Sequence, residues 1–364
     1  MPSEKMLMRG SHVVGEAAVR AGCRYYFGYP ITPQNELPEY LSARMPEVGG
    51  TFIQAESEIA SINMVLGASA AGGRVMTSSS SPGISLKQEG ISYMAGTELP
   101  AVIANMMRGG PGLGNIAPSA ADYFQATRGG GHGDYRTPVL APAGCQELVE
   151  MTSLAFDLAD KYRTPVMLLG DGLMGQVMEP VTFPDFLDLE KLPQKDWTLD
   201  GCEGREPRAH YSMLLGQQGE LYHHNMHLQE KYDLITAQEQ RWETTSTEDA
   251  EIIAVAYGTA ARIVESAIEN LRDEGSRFGL FRPITLWPFP KKPLREQVQK
   301  VRKVAVFELC AGQMVEDVVL SVGERAEIYF CGFPGGIIPT PADASEFLRS
   351  VKNGDNKVGR RIEL

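Results

Sequence analysis

The sequence has few cysteines, and none of them are paired along the chain. The five are Cys23, Cys145, Cys202, Cys310 and Cys331, and no C-x-x-C motif occurs. Ferredoxin-type clusters and structural zinc sites are built from such motifs, so we expect this chain alone to hold neither and predict no metal ligands in it. An odd number of scattered thiols is typical of reduced, mostly buried cysteines in a reducing compartment.

Basic residues and long apolar runs are scarce as well. The chain has 34 lysines and arginines against 46 aspartates and glutamates, for a formal net charge of −12. This balance argues against the basic surface that a nucleic-acid backbone requires. No stretch approaches the roughly 20 apolar residues that cross a bilayer, and residues 1–22 lack the apolar core of a signal peptide. We therefore expect a cytoplasmic protein with neither nucleic acid nor a membrane as partner.

The remaining composition is that of a globular protein, and its pattern indicates the α/β class. Of the 364 residues, 43% are hydrophobic and 22% charged, and this length favours two domains. In the first half, a helix, a short apolar strand and a loop rich in Gly, Ser, Thr or Pro recur. This alternation predicts a doubly wound parallel sheet, whose ligands bind beyond the carboxyl ends of the strands. The predicted strands are residues 25–27, 75–76, 101–104 and 165–169.

Each predicted strand runs into a loop, and we expect the loops to share one edge of the sheet. The loops are residues 28–33, 77–83, 108–112 and 170–172. Ser11 is expected to cap the first helix, and a second helix is expected over residues 56–72. The buried stripe of this second helix is predicted to consist of Ile59, Ile62, Leu66 and Ala70.

The second half predicts a smaller α/β domain that follows a polar connection. Residues 177–247 lose the periodicity and are expected to hold little regular structure. Strand and helix patterns resume at residue 251. We predict four parts of the chain: a first domain over 1–180, a connecting segment over 181–247, a second domain over 248–350 and a loose polar tail over 351–364.

Three motifs that look like ligand sites are weak on their own. Gly170-Asp171-Gly172 could open a metal and diphosphate site, but the Asn-Asn pair that completes such a site is absent, so we predict a strand-end turn. The glycine runs at 108–114 and 128–133 lack the spacing of a dinucleotide fingerprint or a P-loop. The histidines at 223, 224 and 227 do not match the zincin pattern, so we predict a solvated or interface segment there.

Three polar residues on the predicted edge are candidates for catalysis. Glu58 stands in the first turn of an apolar helix, where an acid either complements the helix dipole or, if buried, holds or protonates a heteroaromatic nitrogen. Arg108 follows a strand and is either a surface charge or a bidentate clamp for a carboxylate. Thr32 lies between two prolines and either forms a turn or presents a fixed hydroxyl to a substrate oxygen.

Several motifs occur in an order shared with one known family. They are Tyr-Pro-Ile-Thr-Pro at 29–33, Glu-Ser-Glu-Ile-Ala at 56–60, the serine-rich loop at 77–83, Asn-Met-Met-Arg-Gly-Gly-Pro at 105–111, and further matches at 256–259, 282–290 and 307–313. With these motifs the chain resembles, nearly end to end, the alpha subunit of the 2-oxoacid:ferredoxin oxidoreductases. The resemblance implies oxidative decarboxylation of a 2-oxoacid with coenzyme A to acyl-CoA, carbon dioxide and reduced ferredoxin.

The resemblance also implies roles for domains and residues. Residues 1–180 would be the pyrimidine-binding domain of a thiamine-diphosphate enzyme, and residues 248–350 a domain like the transketolase C-terminal one. Glu58, or alternatively Glu56, would hydrogen-bond the cofactor's aminopyrimidine. Arg108 would grip the substrate carboxylate, and Thr32 would contact the keto oxygen or the incoming thiol. The other implied cofactor contacts are Tyr29, Pro30, Ile31, Ser80, Ser81 and Asn105.

Some features of the family are missing from this chain. Many relatives read Ser-Gly-Pro-Gly where this chain has Ser80-Ser81-Pro82-Gly83, so a backbone geometry that glycine permits freely would differ here. The diphosphate and magnesium motif and the cluster cysteines are absent. The resemblance therefore implies a beta subunit that brings Mg²⁺, a [4Fe–4S] cluster and the diphosphate end of the shared thiamine diphosphate. It also implies a gamma subunit and a ferredoxin-like delta subunit or free ferredoxin, in a dimer of heteromers.

The same resemblance narrows the range of possible substrates. Residues 76–90 are most similar to branched-chain (2-oxoisovalerate) members, followed by the 2-oxoglutarate members. The second carboxylate of 2-oxoglutarate would need another cation, for which Lys87, Arg128 and Arg136 are available, whereas a branched tail needs an apolar wall. The apolar candidates are Met106, Met107 and Leu113.

Two other function classes stay open at this point. One is a nicotinamide-dependent dehydrogenase, since doubly wound sheets with glycine loops are widely shared. It is disfavoured because no G-x-G-x-x-G follows the first strand. The other is a non-catalytic scaffold subunit that keeps the fold without the chemistry.

Overall fold

A computed structural model describes residues 5–210, 219–355 and 358–362 of the chain. The strands are β1 Met6–Arg9, β2 Tyr25–Gly28, β3 Thr51–Gln54, β4 Val75–Ser79, β5 Ala101–Met107, β6 Val139–Leu140, β7 Pro165–Asp171, β8 Met178–Val181, β9 Trp242–Thr245, β10 Ile252–Val255, β11 Phe278–Pro283, β12 Thr285–Trp287, β13 Lys303–Glu308, β14 Glu327–Gly332 and β15 Arg360–Arg361. The α-helices are α1 Gly10–Arg20, α2 Glu36–Glu47, α3 Glu58–Ala70, α4 Ser81–Gly96, α5 Tyr123–Thr127, α6 Cys145–Tyr162, α7 Gly172–Gln176, α8 Glu220–Gln238, α9 Gly258–Asp273, α10 Lys291–Gln297, α11 Met314–Val322 and α12 Pro341–Asn353. Within the described residues, no helix has both the length and the apolar character that a membrane span would need.

The first sheet has seven strands in the order β12-β6-β7-β5-β4-β2-β3. All neighbouring pairs are parallel except β12 with β6. Every residue of the central strands β5 and β7 is buried, as expected for a sheet covered by helices on both faces. The predicted doubly wound α/β fold is therefore confirmed, and the loops that follow β2, β4, β5 and β7 leave its carboxyl edge.

The second sheet has six strands in the order β15-β14-β13-β10-β11-β9. Its four inner strands are parallel, and β9 and β15 add antiparallel edges. The prediction of a loose tail is wrong at Arg360–Arg361, because these residues pair with Tyr329 and Phe330. Residues 356, 357, 363 and 364 of that predicted tail lie outside the described residues, as do residues 1–4 of the predicted first domain.

The connecting segment is more regular than the sequence pattern predicted. Residues 177–247, where the periodicity is lost, contain β8, β9 and the 19-residue helix α8; residues 211–218 lie outside the described part. Only Leu228, Tyr232 and Ile235 of α8 are buried. Since one narrow apolar seam at positions i, i+4 and i+7 is a weak periodic signal, this helix was missed.

Three local expectations were also wrong. Ser11 does not cap α1: its hydroxyl donates to the Gly175 carbonyl at 2.9 Å from inside the helix. Ile59 is 51% exposed, while Ile62 of the same predicted stripe is buried. The predicted serine-rich loop is divided between two elements, since β4 runs to Ser79 and α4 begins at Ser81.

The two sheets are joined by the chain itself and by polar contacts. Strand β12, from the second half of the chain, closes the edge of the first sheet by pairing with β6. The Tyr123 hydroxyl donates to Asp317 at 2.6 Å, and the Phe124 amide donates to Gln313 at 2.8 Å. These contacts hold the segment after Arg108 against the start of α11.

The start of α11 is organised by a fully buried carboxylate, Glu308, at the end of β13. Its two oxygens accept the backbone amides of Gln313, Met314 and Val315 at 2.9–3.1 Å. Burial raises the pKa of Glu308, and the amide donors act in the opposite direction. A single side chain therefore satisfies most of the free N–H groups of this helix end.

We expect Glu308→Gln to lower the free energy of unfolding by about 2–4 kcal/mol, because an amide nitrogen would then face backbone donors. The measurement is urea unfolding of the full chain. The control Glu316→Gln removes the same charge from an exposed site in the first turn of α11 and should change stability by less than about 1 kcal/mol. Equal effects of the two substitutions would contradict the capping role.

Candidate active site at the carboxyl edge of the first sheet

Glu58 is the first residue of α3, and its side chain is buried, with 6% exposed. The preceding Ser57 caps the helix by accepting the Ala60 amide at 3.1 Å, and this cap fixes where the helix begins. Among the described residues, the Glu58 carboxylate has no hydrogen-bond or ion-pair partner. Glu56, the alternative acid, is exposed. The side chain is largely buried, while its unpaired carboxylate oxygens are not among the fully buried polar atoms and so remain open to a ligand group.

The carboxylate of Glu58 occupies the space left by the missing side chain of Gly83. A Cβ built on Gly83 would overlap with Ser79 Oγ and lie 2.6 Å from Glu58 Oε1. The first turn of α4 therefore approaches Glu58 more closely than any other residue type at position 83 would allow.

The serines between β4 and α4 line the same place. The hydroxyls of Ser79 and Ser80 are buried and have no hydrogen-bond partner among the described residues. Ser80 has φ −130° and precedes the helix, and Ser81 is its first residue. Neither has a positive φ, so the backbone at Ser80 and Ser81 is one that serine adopts without strain. Two orphaned hydroxyls beside Glu58 give the site polar groups that a ligand would satisfy.

Arg108 is buried at the end of β5 and lies against the loop that contains Thr32. Its Nη1 donates to the Thr32 carbonyl at 2.9 Å and its Nη2 to the Leu113 carbonyl at 3.1 Å. Its Nε is buried without a partner. Since a guanidinium has five N–H groups, several remain for a ligand, and the two carbonyls fix its plane. The Thr32 hydroxyl accepts a hydrogen bond from Asn35 at 3.3 Å.

Asn105 and Asp122 connect these pieces. The Asn105 side chain accepts the Ser81 amide at 3.2 Å and donates to Asp122 Oδ2 at 2.9 Å. The Ser81 hydroxyl donates to the same Asp122 oxygen at 2.6 Å and accepts the Arg108 amide at 3.0 Å. Burial raises the pKa of Asp122, opposed by these hydrogen bonds. Asp122 was not predicted, because it lies in an irregular segment with no periodic signal.

The loop after β2 is the outermost part of the site. Tyr29 is 36% exposed, Pro30 is exposed and Ile31 is half-buried. The structure thus brings Thr32, Arg108, Ser81 and Asn105 into one bonded network, with Glu58, Ser79 and Ser80 grouped at the start of α4. Tyr29 and Pro30 face outward at the rim.

Two weaker motifs have ordinary structural roles. Asp171 caps α7, accepting the amides of Leu173 and Met174 at 3.0 Å each, which agrees with a strand-end turn. His224 contacts the Gly96 carbonyl at 2.6 Å, and His227 contacts Glu98 at 3.2 Å. In the part of the chain that the structure describes, no three acid, cysteine or histidine side chains converge as a metal site would require.

We expect Gly83→Ala to lower the free energy of unfolding by about 1–3 kcal/mol, because the added methyl collides with Ser79 and Glu58. Thermal and urea unfolding of the full chain would measure it. Gly96→Ala is the matched control, since a Cβ there meets nothing within 4 Å at the other end of the same helix. The control should be neutral or slightly stabilising; a similar loss in both variants would argue against the close approach.

Comparison with known families covers both sheets. The family described as "Pyruvate flavodoxin/ferredoxin oxidoreductase, thiamine diP-bdg" matches residues 16–248. The family described as "Pyruvate:ferredoxin oxidoreductase core domain II" matches residues 250–344. The residues of the candidate site all fall in the first match, so the site lies in a thiamine-diphosphate-binding domain.

Two of the similar curated relatives match over nearly their whole length. The ketoisovalerate oxidoreductase subunit VorB of Methanothermobacter thermautotrophicus is 47% identical over 346 residues, covering 95% of this chain and 97% of its own. The 2-oxoglutarate synthase subunit KorA of Methanothermobacter marburgensis is 31% identical over 385 residues, covering 96% and 100%.

Two solved structures share the fold. A 2-oxoglutarate:ferredoxin oxidoreductase from Magnetococcus marinus, with 2-oxoglutarate, coenzyme A and succinyl-CoA bound, aligns with a TM-score of 0.84 at 27% identity; the match covers 96% of this chain and 65% of that one. A split gene transketolase, an inactive beta4 tetramer, aligns with a TM-score of 0.58 at 14% identity over 95% and 98% of the two chains, a likeness of fold alone. Taken together, the matched families and relatives show that the chain belongs to the alpha-type subunits of the 2-oxoacid:ferredoxin oxidoreductases, oxidoreductase subunits that act within a complex.

Proposed function

We propose that this chain is the alpha subunit of an enzyme that oxidatively decarboxylates 2-oxoisovalerate, or a similar branched-chain 2-oxoacid, with coenzyme A. The products are an acyl-CoA, carbon dioxide and reduced ferredoxin. The observation that carries the proposal is the 47% identity to a ketoisovalerate oxidoreductase subunit over 95% of this chain. The 2-oxoglutarate members are less similar, at 31–38%.

The cations available for a second substrate carboxylate support the same choice. Lys87 is fully buried and hydrogen-bonded to Ser61 and Thr77. Arg128 pairs with Asp317 at 3.0 Å, and Arg136 donates to a backbone carbonyl. Lys87 is enclosed and Arg128 is paired with a carboxylate, so among the described residues only Arg136 of these three cations is both outside the core and without an ion pair. This favours a substrate with one carboxylate and an apolar tail over 2-oxoglutarate.

The residues of the site fit the aminopyrimidine end of thiamine diphosphate. When bound, this cofactor supplies the electron sink that allows a 2-oxoacid to lose carbon dioxide. Glu58 would donate or accept a proton at a ring nitrogen, and its buried position would keep water from competing. The orphaned hydroxyls of Ser79 and Ser80 would satisfy further polar atoms of the ring. The other predicted contacts with the cofactor are Tyr29, Pro30, Ile31, Ser81 and Asn105.

Arg108 and Thr32 would hold the substrate. The two carbonyls that fix the guanidinium leave N–H groups for a carboxylate, and the Thr32 hydroxyl would contact the keto oxygen or the thiol of coenzyme A. Asp122 would act by positioning Ser81 and Arg108, and Asn105, which bonds both Ser81 and Asp122, would help to hold them in addition to its predicted contact with the cofactor.

A beta subunit would complete the active site. The Asp171 carboxylate already accepts two backbone amides at the start of α7, so we assign Mg²⁺ to a partner chain. The cysteines are far apart along the chain, so we assign the [4Fe–4S] cluster to a partner chain as well. The rim of the site exposes large apolar side chains, as a subunit interface would: Leu113 is 81% exposed, Ile116 62% and Ile337 66%. A gamma subunit and a ferredoxin-like subunit or free ferredoxin would complete a dimer of heteromers.

The function is tested by co-expressing the chain with its partner subunits and assaying the purified complex. We expect a brown complex that reduces a viologen dye only when a 2-oxoacid and coenzyme A are both present. In a panel of 2-oxoacids, 2-oxoisovalerate should give the highest kcat/KM and 2-oxoglutarate a low one. A preference for 2-oxoglutarate would overturn the substrate, and a colourless complex with no dye reduction would overturn the function.

Glu58→Gln should lower turnover of the complex by roughly two to four decades, the range expected for loss of an acid or base group. Glu56→Gln is the control, because Glu56 lies two residues away and is exposed. Dye reduction and gel filtration would separate loss of chemistry from loss of assembly. If Glu56→Gln abolishes turnover and Glu58→Gln leaves it intact, the assignment moves to Glu56.

A further inference from the structure

Lys87 is a lysine buried completely inside the first domain, with 0% of its side chain exposed. Its ammonium donates to the hydroxyl of Ser61 and, at 3.1 Å, to the hydroxyl of Thr77. Among the described residues, no carboxylate lies within ion-pair distance of it. Because a buried ammonium without a paired charge is costly, its place in the core needs a reason.

The direction of the hydrogen bonds identifies Lys87 as the donor. The Ser61 hydroxyl gives its hydrogen to the Glu58 carbonyl at 2.9 Å, and the Thr77 hydroxyl gives its own to the Phe27 carbonyl at 2.7 Å. Each hydroxyl has one hydrogen to give, so each must accept from Lys87. A continuous path of hydrogen bonds thus runs from Lys87 through Ser61 to the backbone of Glu58.

Helical spacing places Lys87 and Glu58 at the same contact between α3 and α4. Gly83 and Lys87 are four residues apart on α4, and Glu58 and Ser61 are three apart on α3, so each pair shares a face of its helix. Gly83 touches the Glu58 carboxylate and Lys87 touches Ser61. Lys87 and Gly83 are therefore one turn apart on the face of α4 that packs on the first turn of α3.

Glu58 is also the charged group that acts on Lys87. Burial lowers the pKa of Lys87 to about 7, and the charge of Glu58 opposes this shift. The groups nearest to the Lys87 ammonium on other elements are Glu58 and Ser61 of α3 and Thr77 of β4. On its own helix, the nearest acid, Glu89, is exposed and hydrogen-bonds Tyr93 at 2.9 Å.

We propose that Lys87 is a positioning residue for Glu58: its ammonium anchors the first turn of α3 and supplies the positive charge that keeps the Glu58 carboxylate in place for the cofactor. The inference rests on the proposed function, since it deepens the role of Glu58 there. A methionine of similar length would fill the same space without the penalty of a buried charge, so the amine is accounted for by its hydrogen bond to Ser61, which holds the Glu58 backbone, and by the nearby charge of Glu58.

The test is a double-mutant cycle in the full chain with Lys87→Met, Glu58→Gln and the double variant, measured by urea unfolding at pH 6 and pH 9. At pH 6 the ammonium is charged, and the effect of the double variant on the unfolding constant should differ from the product of the single effects by at least about threefold. At pH 9 the difference should fall below about twofold. The cycle of Lys87→Met with Glu56→Gln should give no coupling at either pH.

The pH dependence of the free energy of unfolding gives a second measurement, and the direction of the expected change is known. Lys87 binds its proton less tightly in the folded chain than in the unfolded one, whose lysine pKa is about 10.4. The unfolded state therefore holds more protons between pH 7 and 10, and wild type should gain stability relative to Lys87→Met as the pH rises through this range. If Lys87→Met fails to fold, Lys87→Gln replaces it, because the amide keeps a donor while removing the charge.

In the reconstituted complex, Lys87→Met or Lys87→Gln should move the acidic limb of the kcat/KM profile to higher pH while leaving assembly intact. Absence of coupling in the cycle, together with an unmoved profile, would overturn the inference while an active wild-type complex keeps the proposed function. Coupling in the free chain together with an inactive wild-type complex would overturn the function and leave the positioning of Glu58 by Lys87 standing.

Discussion

The close packing of α3 against α4 at Gly83 is the constraint on which the site depends. Because position 83 has no side chain, the first turns of both helices meet, and the Glu58 side chain is packed between them while its carboxylate has no hydrogen-bond partner among the described residues. The same approach buries the hydroxyls of Ser79 and Ser80 beside it. A site with several unsatisfied polar groups is unfavourable in an empty fold, and it becomes favourable when a ligand with matching donors and acceptors enters.

The polar groups of the site fall into two sets with different freedom. Arg108, Ser81, Asn105 and Asp122 bond to one another and to backbone groups, so their geometry is set before any ligand arrives. The Glu58 carboxylate and the hydroxyls of Ser79 and Ser80 have no hydrogen-bond partner among the described residues. A preorganised frame around a few unsatisfied groups is the arrangement that lets binding energy be used for orientation.

Much of the first sheet and of the site could be predicted, because both follow from local patterns. Glu58, Thr32 and Arg108 stand at ends of short apolar strands or at the start of a helix, and parallel strands bring such ends to one edge. Asp122 and Lys87 could not be predicted in their roles. Asp122 lies in an irregular segment, and its partners are far along the chain. Lys87 looked like a possible substrate cation, and only the packing of α3 on α4 shows that it is enclosed. Helix α8 was missed because three buried residues in 19 are too few for a clear period.

Strand β12 limits where the chain can be divided into fragments. It comes from residues 285–287 yet supplies the outer strand of the sheet that holds the site. A fragment ending near residue 248, where the first family match stops, would leave the backbone of β6 as an open edge, available for pairing with other molecules. The first matched region therefore does not form a complete sheet by itself. Transplanting it into another protein would require a strand that replaces β12.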